Sequence, residues 1–144
     1  MAEYGPQYCI YKPTKTGKGG AMRWQLDVKK QAVFVDAAAQ VGEHKFDWEH
    51  KVVMKWGISD IGEVLAVIEK RVDSAELFHQ TDSGTAKFSI RFQRDKKPAN
   101  YFLQMWRKEA KSDQARGVAL PLSQAEAATL CVLLRAATVR ILKW

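Results

Sequence analysis

Apolar and polar residues alternate along much of this chain, and a period of two is typical of strands that bury one face and expose the other. The alternation is clearest in residues 20–28, 51–57 and 86–94. Shorter segments of the same character are residues 7–12, 32–38, 75–81, 100–107 and 117–121. Turn-forming residues, among them Thr16-Gly17 and Asp82-Ser83-Gly84, separate these segments. The pattern therefore predicts eight strands in antiparallel sheets.

Two segments change to a helical period. The first helix is predicted to begin with Asp60 as its N-cap, because Glu63 completes a capping-box pattern three residues later. The second is predicted to run from Ser123, with Glu126 as its capping partner, to the C-terminus. The apolar stripe of this second helix comprises Ala127, Leu130, Cys131, Leu134, Ala137 and Ile141. Further apolar residues beside the stripe exceed what one sheet requires, which indicates oligomerisation: Leu133, Val139 and Leu142.

The order of these elements defines the fold class. Four strands and a helix are followed by four more strands and a helix, so the chain is predicted to be α+β, with two packed four-stranded antiparallel sheets. Residues 1–144 are expected to form a single domain. Residues 110–117 are polar and charged, and we interpret them as a basic, mobile hairpin loop.

The chain is basic, and its positive charge is unevenly distributed. Its 144 residues carry a formal net charge of +7 and give a pI near 9.5. The excess of Lys and Arg is concentrated in residues 1–30 and 85–116, whereas the remainder is mildly acidic. Two basic regions on an acidic body favour patches that face a polyanion. Ordinary solvated Lys and Arg side chains would explain the same distribution, so charge alone leaves both interpretations open.

Hydrophobic runs, the N-terminal residues and the cysteines bear on the cellular compartment of the protein. No run approaches the roughly 18 apolar residues that a membrane helix needs. The opening MAEYGPQY differs from a secretory signal and from an organellar transit peptide. Cys9 and Cys131 are too few for a disulfide scaffold or a four-thiolate metal site, and Cys131 is expected to be a buried free thiol. We therefore expect a cytoplasmic or nucleoid-associated protein in a reducing compartment.

Candidate catalytic chemistry is sparse. The chain has no G-x-S-x-G, no H-E-x-x-H, no paired C-x-x-C and no Walker-type loop. Residues 17–20 (GKGG) precede a strand rather than a helix, which argues against a phosphate-binding loop. His44, His50 and His79 lack the spacing of metal ligands. We expect no enzyme activity, no cofactor and no metal.

Basic residues interleaved with aromatic residues are the remaining signal. Single-stranded nucleic acid needs both, because cations neutralise phosphates while flat rings stack on unpaired bases, which a duplex hides. The candidate phosphate-binding residues are Lys12, Lys18, Arg23, Lys55, Lys87, Arg91, Arg107 and Lys108. The candidate stacking residues are Phe46, Trp48, Tyr101 and Trp106. Core packing is the alternative for every ring, and we expect it for those in the apolar phase: Trp24, Trp56, Phe88 and Phe92.

The central part of the chain contains several motifs in a fixed order. They lie in the run VFVDAAAQVGEHKFDWEHKVVMKWGISDIGEVL and include Val41-Gly42, Phe46-Asp47-Trp48 and Ser59-Asp60-Ile61-Gly62. This run resembles the central segment of the Whirly family. Leu77-Phe78-His79 and the helix entry LPLSQAE (residues 120–126) are similar to later motifs. The resemblance extends from about Ile10 to the C-terminus.

The resemblance implies a function. Whirly-like proteins bind single-stranded DNA along their sheets with little sequence preference and assemble into tetramers through their helices. A role in replication, recombination or repair would follow. Kinetoplastid guide-RNA-binding proteins share the architecture, so RNA binding or annealing is an alternative, and a protein-interaction scaffold is a less favoured one.

The chain departs from the family pattern at one strand. Lys18 and Gly19 match the family's Lys-Gly-Lys-Ala-Ala-Leu sequence, but Gly20 stands where the second lysine is expected. We also expect this protein to lack the targeting leader and long N-terminal extension of the plant members. These differences favour a compact member that is unlike the plant proteins.

Overall fold

The computed structural model describes residues 6–144. As predicted, a set of strands followed by a helix occurs twice along the chain. The first half comprises β1 (Gln7–Lys12), β2 (Gly20–Asp27), β3 (Ala32–Gly42), β4 (Lys45–Phe46), a 3₁₀ turn (Trp48–His50), β5 (Val52–Trp56) and α1 (Ile58–Ile68). The second half comprises β6 (Ser74–Thr81), β7 (Gly84–Phe92), β8 (Tyr101–Glu109), β9 (Ala115–Leu122) and α2 (Gln124–Leu142). The eight predicted strands are confirmed, and the two-residue β4 is an addition.

The strands form two antiparallel sheets. In the first sheet β2 lies between β1 and β3, and β3 also pairs with β4 and, nearer its start, with β5. The second sheet has the order β6-β7-β8-β9. Because each strand of the second sheet pairs antiparallel with the next strand in the chain, the order of the strands in this sheet is the order of the chain. The predicted α+β class with two packed antiparallel sheets is confirmed.

The core lies between the inner faces of the sheets and the two helices. Trp56 of the first sheet meets Phe88 of the second edge-on, with ring centres 4.8 Å apart. Both rings and that of Trp24 are buried, as their phase in the sequence predicted, and Phe92 is half-buried against the same core. Each large side chain buried in this way contributes about 1.5–3 kcal/mol to the stability of the fold.

The helix starts test the two capping predictions. The N-cap of α2 is Ser123 as predicted: its Oγ accepts from the Glu126 amide at 3.1 Å, and Glu126 Oε1 accepts from the Ser123 amide at 2.9 Å. The prediction for α1 was wrong by three residues. Gly57 is the N-cap, and Asp60 Oδ2 accepts from the Gly57 amide at 3.0 Å. Asp60 thus supports the helix start from inside the first turn.

The side of α2 that faces away from the core carries exposed aliphatic side chains, as the sequence indicated, beside the exposed Arg135 and Arg140. Its inner stripe is buried in the core: Ala127, Leu130, Leu134, Ala137 and Ile141. Val132, Leu133, Val139 and Leu142 are exposed on the other side, by 66%, 43%, 52% and 49%. Cys131, expected to be buried, is half-buried, and it and Cys9 are free thiols.

The loop predicted over residues 110–117 is shorter than expected. β8 continues to Glu109 and β9 begins at Ala115, so only residues 110–114 connect them. The register pairs Lys108 with Ala115 and Arg107 with Arg116. A strand with polar side chains on both faces keeps its backbone pairing, but it lacks the alternation that would have predicted it. No helix within residues 6–144 is long and apolar enough to cross a membrane.

Candidate nucleic-acid interface

The outer face of the second sheet presents rings beside cations. The register aligns Phe78, Lys87, Trp106 and Gly117 across β6, β7, β8 and β9, and we call these four residues the aromatic row. The Nζ atom of Lys87 lies 5.2 Å from the centre of the Trp106 ring and 5.8 Å from that of Phe78. These distances are within the range of a cation–π attraction. The row therefore holds one cation between two aromatic rings.

A parallel row lies two residues away on each strand, earlier in the sequence on β6 and β8 and later on β7 and β9. Glu76, Ser89, Gln104 and Ala119 are aligned across the same four strands, and we call them the polar row. Together the two rows line an open groove of about 680 Å³. Beyond the polar row, the guanidinium carbon of Arg91 lies 4.9 Å from the centre of the Phe102 ring. Rings with adjacent cations therefore lie on both sides of the polar row.

Arg107 and Lys108, adjacent in sequence, point to different sides of β8. Lys108 shares the outward phase of Trp106 and is half-buried. Arg107 lies in the opposite phase, where its Nε donates to Glu109 Oε1 at 2.8 Å and its Nη2 to Ser83 Oγ at 3.2 Å. The hydrogen bond from Arg107 lowers the pKa of Glu109. Of the two predicted phosphate-binding residues, only Lys108 shares a face with the aromatic row.

A second groove lies between the two sheets. It has a volume of about 380 Å³, and Lys51 and Lys55 line it from the first sheet while His79 and Arg107 line it from the second. Glu109 is its acidic member. Lys55 is exposed, as its alternation predicted. This basic groove connects the sheets at the edges formed by β5 and β6.

The outer face of the first sheet carries another ring and cation in contact. The guanidinium carbon of Arg23 lies 4.3 Å from the centre of the Trp48 ring. Arg23 also donates to Asp36 Oδ2 through Nη2 at 2.6 Å and Nε at 3.1 Å. Nearby, the rings of Tyr11 and Phe46 are 5.5 Å apart. Arg23, Phe46 and Trp48 therefore share one surface, with Asp36 offsetting part of its positive charge.

Lys12 and Lys18 lie at the edge of the first sheet. The Nζ of Lys12 is 2.7 Å from Glu126 Oε1, which ties β1 to the start of α2. Partial burial by itself would raise the pKa of Glu126, but hydrogen bonds from Lys12 and Ser123 lower it below its ordinary value. Lys18 is exposed in the connection between β1 and β2. Lys18 is thus the more available of these two cations.

Tyr101 was wrongly predicted to be a stacking residue. Its ring is 1% exposed, and burial raises the pKa of its hydroxyl. It shares the inward phase of β8 with Leu103 and Met105. The outward neighbour Phe102 has the position that was assigned to Tyr101.

Two further rings are exposed on the sheets and were not predicted as stacking residues. Phe78 is 58% exposed and Tyr11 is 55% exposed. Phe78 alternates with Leu77 and Phe102 alternates with Leu103, so strand phase alone contained the signal that would have identified Phe78 and Phe102.

Comparison with known proteins supplies an independent finding. A family model described as Whirly transcription factor matches residues 12–133. The fold is similar to the crystal structure of WHY1 from Arabidopsis thaliana, with a TM-score of 0.79 at 17% identity over 100% of this chain and 89% of that one. It is similar to the plant transcriptional regulator PBF-2, with a TM-score of 0.79 at 18% identity over 100% of this chain and 94% of that one.

A third similar fold comes from a structure of a guide-RNA-binding protein complex bound to a guide RNA. Its TM-score is 0.64 at 17% identity, over 92% of this chain and 88% of that one. No curated protein sequence matches this chain. At these identities the solved structures show a common fold, and the family match is the finding that bears on nucleic-acid binding.

Proposed function

This chain belongs to the Whirly family, whose members bind nucleic acids, and from that premise we propose that it binds single-stranded DNA along the outer faces of its two sheets. The aromatic row is the observation that carries the proposal. Phe78 and Trp106 offer flat surfaces to unpaired bases, and Lys87 between them supplies the charge for a phosphate. A duplex would leave these rings without a stacking partner.

The proposed site covers both sheets and comprises cations with nearby rings. Lys87, Arg91, Trp106 and Lys108 would act on the second sheet, and Arg23, Phe46 and Trp48 on the first. Lys55 and Arg107, which line the groove between the sheets, would neutralise phosphates where a strand passes from one sheet to the other. Lys12 and Lys18 would contribute at the edge. Because phosphates and base faces are common to every sequence, affinity should depend little on sequence overall.

We further propose that protomers assemble through the exposed apolar surface of α2 into a tetramer. The four exposed aliphatic side chains on that helix support a contact between copies, since a monomer would leave them in water. A protein that coats unpaired strands in this way suits DNA replication, recombination or repair, in the cytoplasm or at the nucleoid.

The test is binding of a labelled oligo-dT strand of about 30 nucleotides, measured at several salt concentrations. The logarithm of the binding constant should fall linearly with the logarithm of salt, with a slope of about −0.7 for each phosphate neutralised. Replacing Trp106 with Ala should weaken binding about fivefold or more, because one base loses its stacking partner. Absence of binding at low salt would overturn the proposal.

Two controls separate stacking from folding. Trp144→Ala removes an indole that is 95% exposed and lies outside both sheets, so it should leave affinity unchanged. The melting temperature of Trp106→Ala should stay close to that of the unmodified protein, although its affinity for the strand falls. If its stability falls as much as its affinity, the ring serves the fold instead.

RNA binding is the second candidate, favoured by the similarity to the guide-RNA complex. Stacking surfaces and cations do not by themselves distinguish ribose from deoxyribose, whereas contacts to the 2′-hydroxyl do. Competition between oligo-dT and oligo-U of equal length decides between them. Preference for oligo-U would favour the RNA function.

A further inference from the structure

The polar row contains the acidic side chain of an otherwise cationic face. Of the outward residues on β6, β7, β8 and β9, Glu76 is the acid, whereas Lys87, Arg91 and Lys108 are cations. A carboxylate on a phosphate-binding surface lowers affinity for a polyanion unless it receives a hydrogen bond from the ligand. Glu76 therefore needs an explanation that phosphate binding does not provide.

Within the described part of the chain, the polar side chains of this row have no partner in the protein. Within residues 6–144, the side chains of Glu76, Ser89 and Gln104 make no hydrogen bond and no ion pair with another residue. They lie on three adjacent strands in direct register, so neighbouring backbones are about 4.8 Å apart and those of Glu76 and Gln104 are about 9.6 Å apart. Three free polar groups therefore lie side by side on the floor of the groove.

The flanking rings fix how a base can approach this row. Consecutive rows are about 6.8 Å apart along a strand, and Trp106 lines the same groove as the polar row. Gln104 lies on the same strand as Trp106, and Glu76 lies two strands away on β6, so a base that packs against the Trp106 ring and extends across β7 would have its edge between Gln104 and Glu76. At the β9 end of the rows, Gly117 and Ala119 are small and leave the groove open. The groove therefore admits one base with its edge over the polar row.

We propose that this row reads the edge of one unpaired base and prefers guanine, an inference that rests on the proposed binding of single-stranded DNA. An ionised carboxylate only accepts hydrogen bonds, and guanine presents two adjacent donors, N1–H and the 2-amino group, to a single carboxylate. The amide of Gln104 can donate to the guanine O6. Cytosine and adenine present one amino group each, so they make fewer of these bonds. Thymine and uracil place carbonyl oxygens on both sides of their single N–H, and a carboxylate repels these oxygens.

The preference adds to an affinity that is otherwise insensitive to sequence. Phosphate contacts and stacking act on every nucleotide. The polar row acts on only one base in each copy of the chain, where the strand crosses the sheet formed by β6, β7, β8 and β9. The expected pattern is thus a moderate discrimination at spaced positions, and not recognition of a long motif.

The experiment compares three labelled strands of about 16 nucleotides. The first is oligo-dT, the second has guanine at every third position, and the third has inosine at those positions. Inosine differs from guanosine only by lacking the 2-amino group, so it removes one of the two donors. The guanine strand should bind about tenfold more tightly than oligo-dT, with the inosine strand between them.

Variants assign the effect to Glu76. Glu76→Ala should bring the three strands to nearly equal affinity. Glu63→Ala is the matched control, because it removes the same charge from an exposed position on α1, away from the sheet face, and it should keep the guanine preference. Any general gain in affinity from the lost charge of Glu76 acts on all three strands alike, so the ratio of affinities between the strands isolates the guanine preference.

The outcomes distinguish this inference from the function on which it rests. Equal binding of the three strands by the unmodified protein overturns the inference and leaves the proposed function standing. A guanine preference that survives Glu76→Ala also overturns it, since another site must then read the base. Failure to bind any of the strands at low salt overturns the proposed function.

Discussion

The hydroxyl of Tyr101 donates a hydrogen bond of 3.0 Å to the main-chain carbonyl of Ile68, the last residue of α1. The final carbonyls of a helix have no partner within the helix, so this side chain satisfies one of them from a neighbouring strand. The contact joins the start of β8 to the end of α1 across 33 residues of sequence. Tyr101 is therefore part of the framework that supports the second sheet.

Replacing Tyr101 with Phe should lower the stability without weakening nucleic-acid binding. The ring remains buried, but the carbonyl of Ile68 loses its donor, which costs about 1–3 kcal/mol of unfolding free energy. Denaturant unfolding measures the loss, and oligo-dT binding well below the melting temperature should match the unmodified protein. Reduced affinity at unchanged stability would instead show that Tyr101 takes part in nucleic-acid binding.

The pair formed by Lys12 and Glu126 should make the stability dependent on acid. Hydrogen bonds from Lys12 and Ser123 outweigh partial burial, so the pKa of Glu126 is lower in the folded chain than its ordinary value of 4.5. A carboxylate with a lowered pKa contributes stability that is present above the ordinary value and is lost as the pH falls through the folded value. This contribution should thus be complete at pH 7 and disappear in the acid range below about 4.5.

The measurement is the difference in unfolding free energy between the unmodified protein and Glu126→Gln across that range. The difference should be largest near neutrality and should shrink as the pH falls, because the protonated acid loses its pairing with Lys12. Glu63→Gln, at an exposed position on α1, is the control and should show no such trend. A difference that stays constant with pH would contradict the assignment.

The exposed surface of α2 predicts how assembly can be broken. Replacing Leu133 and Val139 with Arg should place charges on the proposed contact and reduce the mass in solution to that of one protomer. Light scattering after size exclusion measures the mass. Val41→Arg introduces one such charge at a residue that is 56% exposed and lies on β3, outside α2, so it should leave the assembly intact. An unchanged mass in the double variant would show that α2 is not the contact.

Local signals in the sequence predicted most of the elements. Ser123 and Glu126 are three residues apart, and their capping box forms where the sequence placed it. Trp24, Trp56 and Phe88 are buried because each shares the phase of its apolar neighbours. The helix start at Gly57 was missed because a glycine N-cap gives no side-chain signal, while Asp60 within the first turn resembles a cap.

The site was harder to predict than the elements. Tyr101 and Phe102 are adjacent rings on opposite faces of β8, so an error of one residue in phase exchanges a core residue for a surface residue. The role of a cation depends on distant partners. Glu126, which holds Lys12, follows it by more than 100 residues, and no local pattern connects them.

The sequence by itself determined the order of strands and helices, the inward face of most strands and the two basic regions, because each depends on side chains within a few positions of one another. The tertiary structure decided which residues become neighbours. It placed Lys87 between Phe78 and Trp106, arranged Glu76, Ser89 and Gln104 in one row, and tied Arg23 to Asp36. Register and packing between strands set these contacts, and they become fixed only when the sheets form.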